Sequence, residues 1–284
     1  MVEVRRSDDV DGFLATAGAF LGAREAEHNL IFGICSQLRS TPDPTAVTPY
    51  LGVAMEDGWV VAAAIRTPPH NLVLSETDEL ATIEPLARDI HEVFGSLPGV
   101  LGPRTTVASF AERWCELVGV GMERAMQERI YQASTATPPT GVAGTMRAIR
   151  DDDHGLVRTW LSAFMIEAFP AGFERDPVEV VLRRRLNDPS GGLVLWETGD
   201  GPVSLAGFGG LTPNGIRIGP VYTPPDQRGR GYASALVGSM TQMLLARGYR
   251  FCFLFTDLAN PTSNSIYQRV GYIPVADVDE YLFA

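Results

Sequence analysis

The sequence predicts an α/β (α+β mixed-sheet) chain built from two similar halves in tandem. Each half is expected to be a mixed, mostly antiparallel sheet flanked by helices. Three observations carry this. The second half reads in the order β-α-α-β-β-β-α-β-α-β. Two of its strand junctions are Asp200-Gly201 and Asn214-Gly215, dipeptides that tolerate the positive φ of tight hairpins. Short patterns of the first half also recur in the second.

The recurrences are specific in position. V-E-V-R-R-S-D-D-V-D-G-F, ending at Phe13, resembles T-M-R-A-I-R-D-D-D-H-G-L, ending at Leu156, so that Asp8, Asp9 and Gly12 match Asp151, Asp152 and Gly155. Leu117-Val118-Gly119-Val120 parallels Arg269-Val270-Gly271-Tyr272. In both places a glutamate, Glu128 or Glu280, stands nine residues after the glycine. Between the halves, Ala133 to Gly144 is small, polar and proline-bearing, as a linker should be. The expected domains are residues 1–136 and 143–284.

The elements of the second half follow from periodicity and punctuation. From Asp153 to Phe169, one helical face carries Leu156, Val157, Trp160, Leu161 and Phe164. Pro177 to Leu186 reads as a second helix, with Asp176 as N-cap and Pro177 at the first position. Leu193 to Glu197, Val203 to Gly209 and Ile216 to Thr223 follow as antiparallel strands joined by the two glycine turns. A helix from about Gly231 to Arg247 places Ala233, Leu236, Val237, Met240 and Leu244 on one stripe, and Gly248 suits its C-terminal end. Tyr249 to Leu258 is almost wholly apolar, as expected of a strand buried on both faces. It should lie parallel to the strand before the helix. Asn260-Pro261 opens a last helix that Gly271 closes, and Tyr272 to Ala284 reads as one or two final strands.

Pro220 interrupts the third antiparallel strand. It has no N–H to give to a ladder, so pairing with the following parallel strand should fail there, at a splay or a bulge. The unpaired backbone groups need partners. An extended amide-bearing ligand can supply them by acting as an extra strand.

Composition removes whole classes of function. The 284 residues are 45% hydrophobic and 20% charged, the balance of a soluble globular chain, and the net charge of −11 argues against nucleic-acid binding. All 23 cationic residues are arginines. Without lysine there is no Walker A phosphate lysine and no Schiff-base amine. Three scattered cysteines and four unpaired histidines form no metal pattern and suit a reducing, cytoplasmic setting. The longest apolar run, Trp59 to Ile65, is too short to span a membrane, and the acidic start is unlike a secretory signal.

The chemistry is concentrated directly after the proline-bearing strand, in P-P-D-Q-R-G-R-G-Y-A-S-A-L. The run Arg228-Gly229-Arg230-Gly231-Tyr232-Ala233 fits R/Q-x-x-G-x-G/A, a loop that turns free amides toward an anion at a helix N-terminus. Arg228 and Arg230 add charge-assisted contacts, and a pyrophosphate fits such a nest. A dinucleotide fingerprint G-x-G-x-x-G fails because Ser234 occupies its third glycine position.

On V-Y-T-P-P-D-Q-R-G-R-G-Y-A-S-A-L and N-P-T-S-N-S-I-Y-Q-R-V-G-Y, the sequence resembles the GCN5-related N-acetyltransferase (GNAT) superfamily. The resemblance covers about residues 143 to 284 in motif and element order. The whole chain looks like a tandem GNAT protein with a degenerate first half, in which Leu101-Gly-Pro-Arg-Thr-Thr-Val-Ala-Ser-Phe stands roughly where a CoA loop belongs and lacks the glycines. The first half is therefore expected not to bind CoA.

The resemblance implies acetyl-CoA as acyl donor, lying between splayed fourth and fifth strands of the second half. It implies backbone contacts to pantetheine from Val221 and Thr223, with Tyr222 beside them. Arg228, Gly229, Arg230, Gly231, Tyr232 and Ala233 would hold the pyrophosphate. The Val221 N–H would serve as oxyanion donor. Asn260 matches the asparagine that contacts pantetheine and is also a natural helix N-cap; Ser263 joins that group. Tyr267, seven residues after Asn260, matches the general acid that protonates the leaving thiolate. The general base is open among Glu167, Glu174 and the terminal carboxylate of Ala284, with Glu167 the first choice. Tyr222, Phe173 and Trp196 are candidates to shape the acceptor pocket.

The expected function is transfer of an acetyl group to a primary amine of a small-molecule or peptide acceptor by direct attack. No metal, nucleic-acid or membrane partner is expected. Exposed strand edges make a homodimer plausible. Two alternatives remain: an acyl-CoA-binding regulatory or interaction protein without turnover, and an acyltransferase using a longer acyl donor.

Overall fold

The computed structural model describes residues 1–40, 47–169 and 177–284. In chain order the first half contains β1 (Val2–Arg6), α1 (Val10–Ala23), α2 (Asn29–Ser40), β2 (Tyr50–Glu56), β3 (Trp59–Arg66), β4 (Leu72–Leu74), α3 (Ile83–Phe94), β5 (Gly99–Pro103), α4 (Arg104–Val118) and β6 (Met122–Ala133). The second contains β7 (Thr145–Ala148), α5 (His154–Ala168), α6 (Val178–Asn187), β8 (Gly192–Thr198), β9 (Gly201–Leu211), β10 (Gly215–Tyr222), α7 (Tyr232–Ala246), β11 (Phe251–Asp257), α8 (Pro261–Val270) and β12 (Ile273–Phe283).

The two halves repeat the same order of elements. The paired glycines identified in the sequence are both helix C-caps at positive φ, Gly119 at 79° after α4 and Gly271 at 118° after α8. That conformation is open to glycine without the Cβ penalty. Asn260 caps α8 as expected, its side chain accepting the Ser263 N–H at 3.0 Å. Details differ elsewhere. Pro177, rather than Asp176, is the N-cap of α6, because its extended ψ of 143° lies outside the helix; Asp176 is outside the described residues. The chain end is one strand, β12, whose ladder runs without a turn from Ile273 to Phe283.

Helices cover both faces of the sheet. In the second half, α7 buries Leu236, Val237, Met240 and Leu244 in a cluster with Ile216, Ile218, Cys252 and Leu254. On the other face, Val157, Trp160 and Leu161 of α5 meet Leu193, Leu195 and Leu205. In the first half, α3 and α4 bring Leu86, Ile90, Phe110 and Trp114 to one face, and α1 and α2 bring Phe13, Leu21 and Ile31 to the other. Each fully buried side chain of this size contributes about 1.5–3 kcal/mol.

The sheets expected for the two halves are joined. All twelve strands form one sheet in the order β1-β2-β3-β4-β5-β12-β6-β11-β10-β9-β8-β7. The last strand of each half lies against the other half: β12 pairs with β5, and β6 pairs with β11. β6 and β12 then pair with each other antiparallel, from Met122↔Phe283 to Gln132↔Ile273. Periodicity reports which residues face inward, but not which strand sits alongside, so this exchange is invisible in the sequence. Ion pairs reinforce it. The nearly fully buried Asp279 of β12 accepts from Arg104 Nε at 3.1 Å, and Asp277 accepts from Arg129 Nε at 2.6 Å.

Near the middle of the exchanged pair stand the repeated glutamates. Glu280 is opposite Met126 and Glu128 is opposite Val278, which places both carboxylates diagonally on one face. Burial pushes each carboxyl up to about 7, and for Glu128 the nearby Glu280 adds to the rise. Asn71 Nδ2 donates to Glu280 Oε1 at 2.6 Å, which moderates the effect.

Two predictions follow from the exchange. Proteolytic cleavage between residues 134 and 144 leaves two fragments that co-elute on size exclusion and separate only in denaturant; separation in native buffer refutes the interlock. For Glu280, the folded chain retains a proton above the ordinary carboxyl value of 4.5 that the unfolded chain has released. Its contribution to stability is therefore full below that value and is lost as pH rises through about 7. Glu280→Gln accordingly raises Tm at pH above 8 and changes it little near pH 5. A pH-independent shift in thermal unfolding contradicts the assignment.

Candidate active site at the splayed strands

The parallel pairing of β10 with β11 is short. It runs from Gly215↔Phe251 to Arg217↔Phe253 and stops. Beyond it, β10 continues to Tyr222 paired only with β9, and β11 continues to Asp257 paired only with β6. The register of β10 on β9 shifts between Ile218 and Val221, at the bulge expected around Pro220. Without an N–H at Pro220 the ladder cannot carry on, and the two strands part. Val221 lies half-buried on β10, beyond the point of parting.

The end of β10 is braced from the β9 side. Ser204 Oγ donates to the Tyr222 carbonyl at 3.1 Å and shares a 2.8 Å hydrogen bond with Thr223 Oγ1. The Thr223 carbonyl accepts from Arg228 Nε at 2.8 Å, so the loop that follows is tied back to the strand. Tyr222 is buried against Trp160, with ring centroids 6.3 Å apart.

That loop leads into α7. Gly229 and Gly231 have φ of 78° and 82°, left-handed values that a side chain at either position would disfavour. Gly231 is the N-cap and has no side-chain cap bond, so the first amides of the helix, at Tyr232, Ala233 and Ser234, have no intrahelical acceptor. Exposed Arg228 and Arg230 flank them. Free amides, a helix dipole and two guanidinium groups suit a pyrophosphate. Arg230 Nη2 donates to the Asp226 carbonyl at 3.3 Å, which holds the turn.

Tyr267 sits on α8 in the same buried cluster as Leu254 of β11, packed edge-on to Tyr272 with centroids 6.0 Å apart. Burial pushes its phenol up to about 12, so it is protonated across the neutral range. Asn260 and Ser263 stand together at the N-terminus of α8, directly after β11. The predicted donor-side residues thus lie at the end of β10, in the loop and first turn of α7, and at the start and body of α8.

The base candidates fare differently. Glu167, on the last turn of α5, accepts from Arg228 Nη2 at 2.6 Å, with both side chains about half exposed. It is the counter-ion of the loop arginine. Glu174 and Phe173 lie outside the described residues. The Ala284 carboxylate is not at the splay: the Ala284 N–H bonds to the Gly121 carbonyl at the far end of β6, seven residues and about 23 Å of strand from Glu128. Trp196 does not shape a pocket. It is buried in the core, and its Nε1 donates to the Ala143 carbonyl at 2.9 Å, fastening the linker to β8.

The structure adds residues that the sequence did not single out for chemistry. An open cavity of about 1630 Å³ lies between the halves. Gly219 and Pro220 of β10 and Phe255 of β11 form its wall at the splay, and Glu128, Glu280, Arg217 and Arg185 face into it. Glu128 and Glu280 were visible only as a repeat, because their meeting depends on the exchanged strands. Arg217 alternates with Ile216 and Ile218, which point to α7, so its side chain emerges on the opposite face of β10.

In the first half, α3 is the counterpart of α7, which places the counterpart of the 223–231 loop between Leu74 and Ile83. The earlier placement at Leu101 to Phe110 is corrected: those residues form β5 and α4, the counterparts of β11 and α8. Where the second half has Arg228 and Arg230, the first has Glu76, Asp78 and Glu79, and the Glu79 side chain itself accepts the Ala81 N–H. Carboxylates at this place repel a pyrophosphate, so the expectation of no CoA binding now rests on charge as well as on missing glycines.

Comparison with known proteins agrees with this geometry. The model of the acetyltransferase (GNAT) family matches residues 156–272. A Drosophila protein of known structure is 13% identical, with 99% of this chain and 98% of that one covered at a TM-score of 0.69. A GCN5-related N-acetyltransferase from Sphaerobacter thermophilus is 19% identical, with coverages of 99% and 94% and a TM-score of 0.60. A tandem GNAT protein from the clavulanic acid biosynthesis pathway is 11% identical, with coverages of 100% and 98% and a TM-score of 0.56. No curated protein matches the sequence. At these identities the structural likenesses speak for the fold, which they share over nearly the whole chain. With the family match over the splay, the loop and α8, they lead to one conclusion: residues 156–272 match the acetyltransferase (GNAT) family, within a chain whose fold is that of GNAT proteins over nearly its whole length.

Proposed function

We propose that the second half transfers an acetyl group from acetyl-CoA to a primary amine by direct attack. The observation that carries this reading is the parting of β10 and β11 after Arg217 and Phe253, with the glycine-arginine loop at its end. The gap offers strand-edge hydrogen bonds to an extended amide-bearing arm, and the free amides of α7 suit its pyrophosphate. Acetyl-CoA supplies an activated thioester carbonyl. The residues that hold it are Val221, Tyr222 and Thr223 along the strand, Arg228 to Ala233 at the phosphates, and Asn260 and Ser263 opposite.

The chemistry asks little of side chains. The amine nitrogen forms a bond to the thioester carbon, and the carbon–sulfur bond breaks. An ammonium acceptor and the thioester give an amide, the free thiol and one H⁺. The Val221 N–H stabilises the oxygen of the tetrahedral intermediate, an interaction that strengthens as charge develops there. Tyr267, protonated because burial holds its phenol up to about 12, gives its proton to the departing thiolate. Glu167 keeps Arg228 in place at the end of the gap.

Release of free thiol from acetyl-CoA against a panel of amines tests the reaction. Acetyl-CoA binding without thiol release for any acceptor favours a CoA-binding regulatory protein instead, and faster release from propionyl- or succinyl-CoA favours a longer donor. Tyr267→Phe lowers kcat by about 10²-fold, within the range for general acid catalysis, and leaves acetyl-CoA affinity largely intact. An unchanged kcat with chemistry rate-limiting removes Tyr267 from the mechanism. Gly229→Val, which forces a β-branched residue to a φ of 78°, weakens acetyl-CoA binding in calorimetry. Unaltered affinity means that the pyrophosphate lies elsewhere.

A further inference from the structure

The cavity between the halves carries arginines on β10 and α6 and glutamates on β6 and β12; Glu128 attracts Arg217 and Asp188 attracts Arg185, but neither pair is in direct ion-pair contact. Arg217 lies on β10, where its guanidinium stacks over Phe255 at 5.1 Å and its Nε is buried with no hydrogen-bond partner. A Cβ placed on Gly33 of α2 would come within 3.1 Å of the Arg217 side chain, so the first half packs directly against it. Burial above all, and then repulsion from Arg185 of α6, bring Arg217 down to about 10, against a smaller opposing pull from Glu128. Among the described residues no carboxylate is within 4 Å of either guanidinium. Two adjacent cations withdrawn from water are costly without an anion between them. On β6 and β12, Glu128 and Glu280 present their carboxylates to the same space, and Glu128 likewise has no ion-pair partner within 4 Å among the described residues.

We propose that this cavity binds the acceptor, and that the acceptor is of the amino-acid class, its carboxylate held by Arg217 and Arg185 and its ammonium group by Glu128, which the first half contributes, with Glu280 beside it. The proposal rests on the acetyl-transfer reading of the splay. A planar carboxylate matches the forked geometry of a guanidinium. A phosphate dianion fits less well, because Glu128 and Glu280 would repel it. The cavity opens at Gly219 and Pro220, on the face of β10 opposite α7, so donor and acceptor approach the parting from opposite sides. Glu128 takes one of the two protons that the ammonium nitrogen loses on becoming an amide nitrogen. The other goes to solvent or restores the acid that protonated the thiolate.

The test is thiol release from acetyl-CoA by the full-length protein with matched pairs of acceptors: lysine and cadaverine, tyrosine and tyramine, phenylalanine and phenethylamine. The expected result is a kcat/KM at least about tenfold higher for the amino acid in one or more pairs, the loss expected when a hydrogen bond to a charged group is removed. In Arg217→Gln the preference falls toward one, mainly through KM, while acetyl-CoA affinity is unchanged; this affinity also reports that the variant is folded. Arg185→Gln acts in the same direction and serves if the first variant does not fold. Three results overturn the proposal: decarboxylated amines that serve as well as their amino acids, a preference that survives in a folded arginine variant, or no release with any pair. In each, intact acetyl-CoA binding by the wild type leaves the donor site standing. Failure of acetyl-CoA to bind at all counts instead against the acetyl-transfer reading on which the proposal rests.

Discussion

The exchange of β6 and β12 between the halves is the constraint on which the rest of this molecule depends. A strand buried in a sheet must give its N–H and C=O groups to neighbours on both sides. Here the neighbours of β11 are β10 from its own half and β6 from the other. The ladder to β6 runs from Cys252↔Ala133 to Asp257↔Glu128 and holds β11 straight through the region where its bonds to β10 have ceased. The gap can persist because β11 is anchored on its far edge and β10 on its own, through β9 and the Ser204 hydroxyl. A splay between two strands supported on one side only would close or fray.

The same exchange divides labour between the faces. Helices α7 and α8 cover one face, with the free amides of α7 and the hydroxyl of Tyr267. The other face opens on a cavity whose wall comes from both halves, and one of its carboxylates, Glu128, belongs to the half that carries acidic residues where a CoA loop would be. Charge is partitioned accordingly. Arginines 228 and 230 stand at the helix N-terminus, and the half-buried arginines 185 and 217 face the same cavity as the glutamates. Cross-half packing fixes these positions. Glu25 of the first half receives the Asn214 N–H and Nδ2–H, each at 2.7 Å, and so secures the turn from which β10 starts.

Local rules made most of the second half readable. Asn260 with Pro261, Gly248 and the Asp-Gly and Asn-Gly turns each specify backbone geometry within a few residues, and the structure has the corresponding caps and hairpins. Pro220 was legible for the same reason: a missing N–H is a property of one residue. The cavity between the halves was not legible. Glu128 and Glu280 are diagonal neighbours only because two strands distant in sequence pair, and a repeat pattern has no term for that. Nothing in the sequence marked Arg217, whose place under α2 depends on a helix that precedes it by some 180 residues. Trp196, which resembled a pocket wall, is a core residue because its indole N–H found the linker carbonyl of Ala143.

The interior strand β6 and helix α2 of the first half both pack against the second: β6 along β11, and Gly33 of α2 over the Arg217 side chain. Inheritance of either half by itself, through gene fission or recombination at the linker, delivers a polypeptide short of one interior strand. Neither lobe alone closes its own sheet, so the two have to be made and kept together.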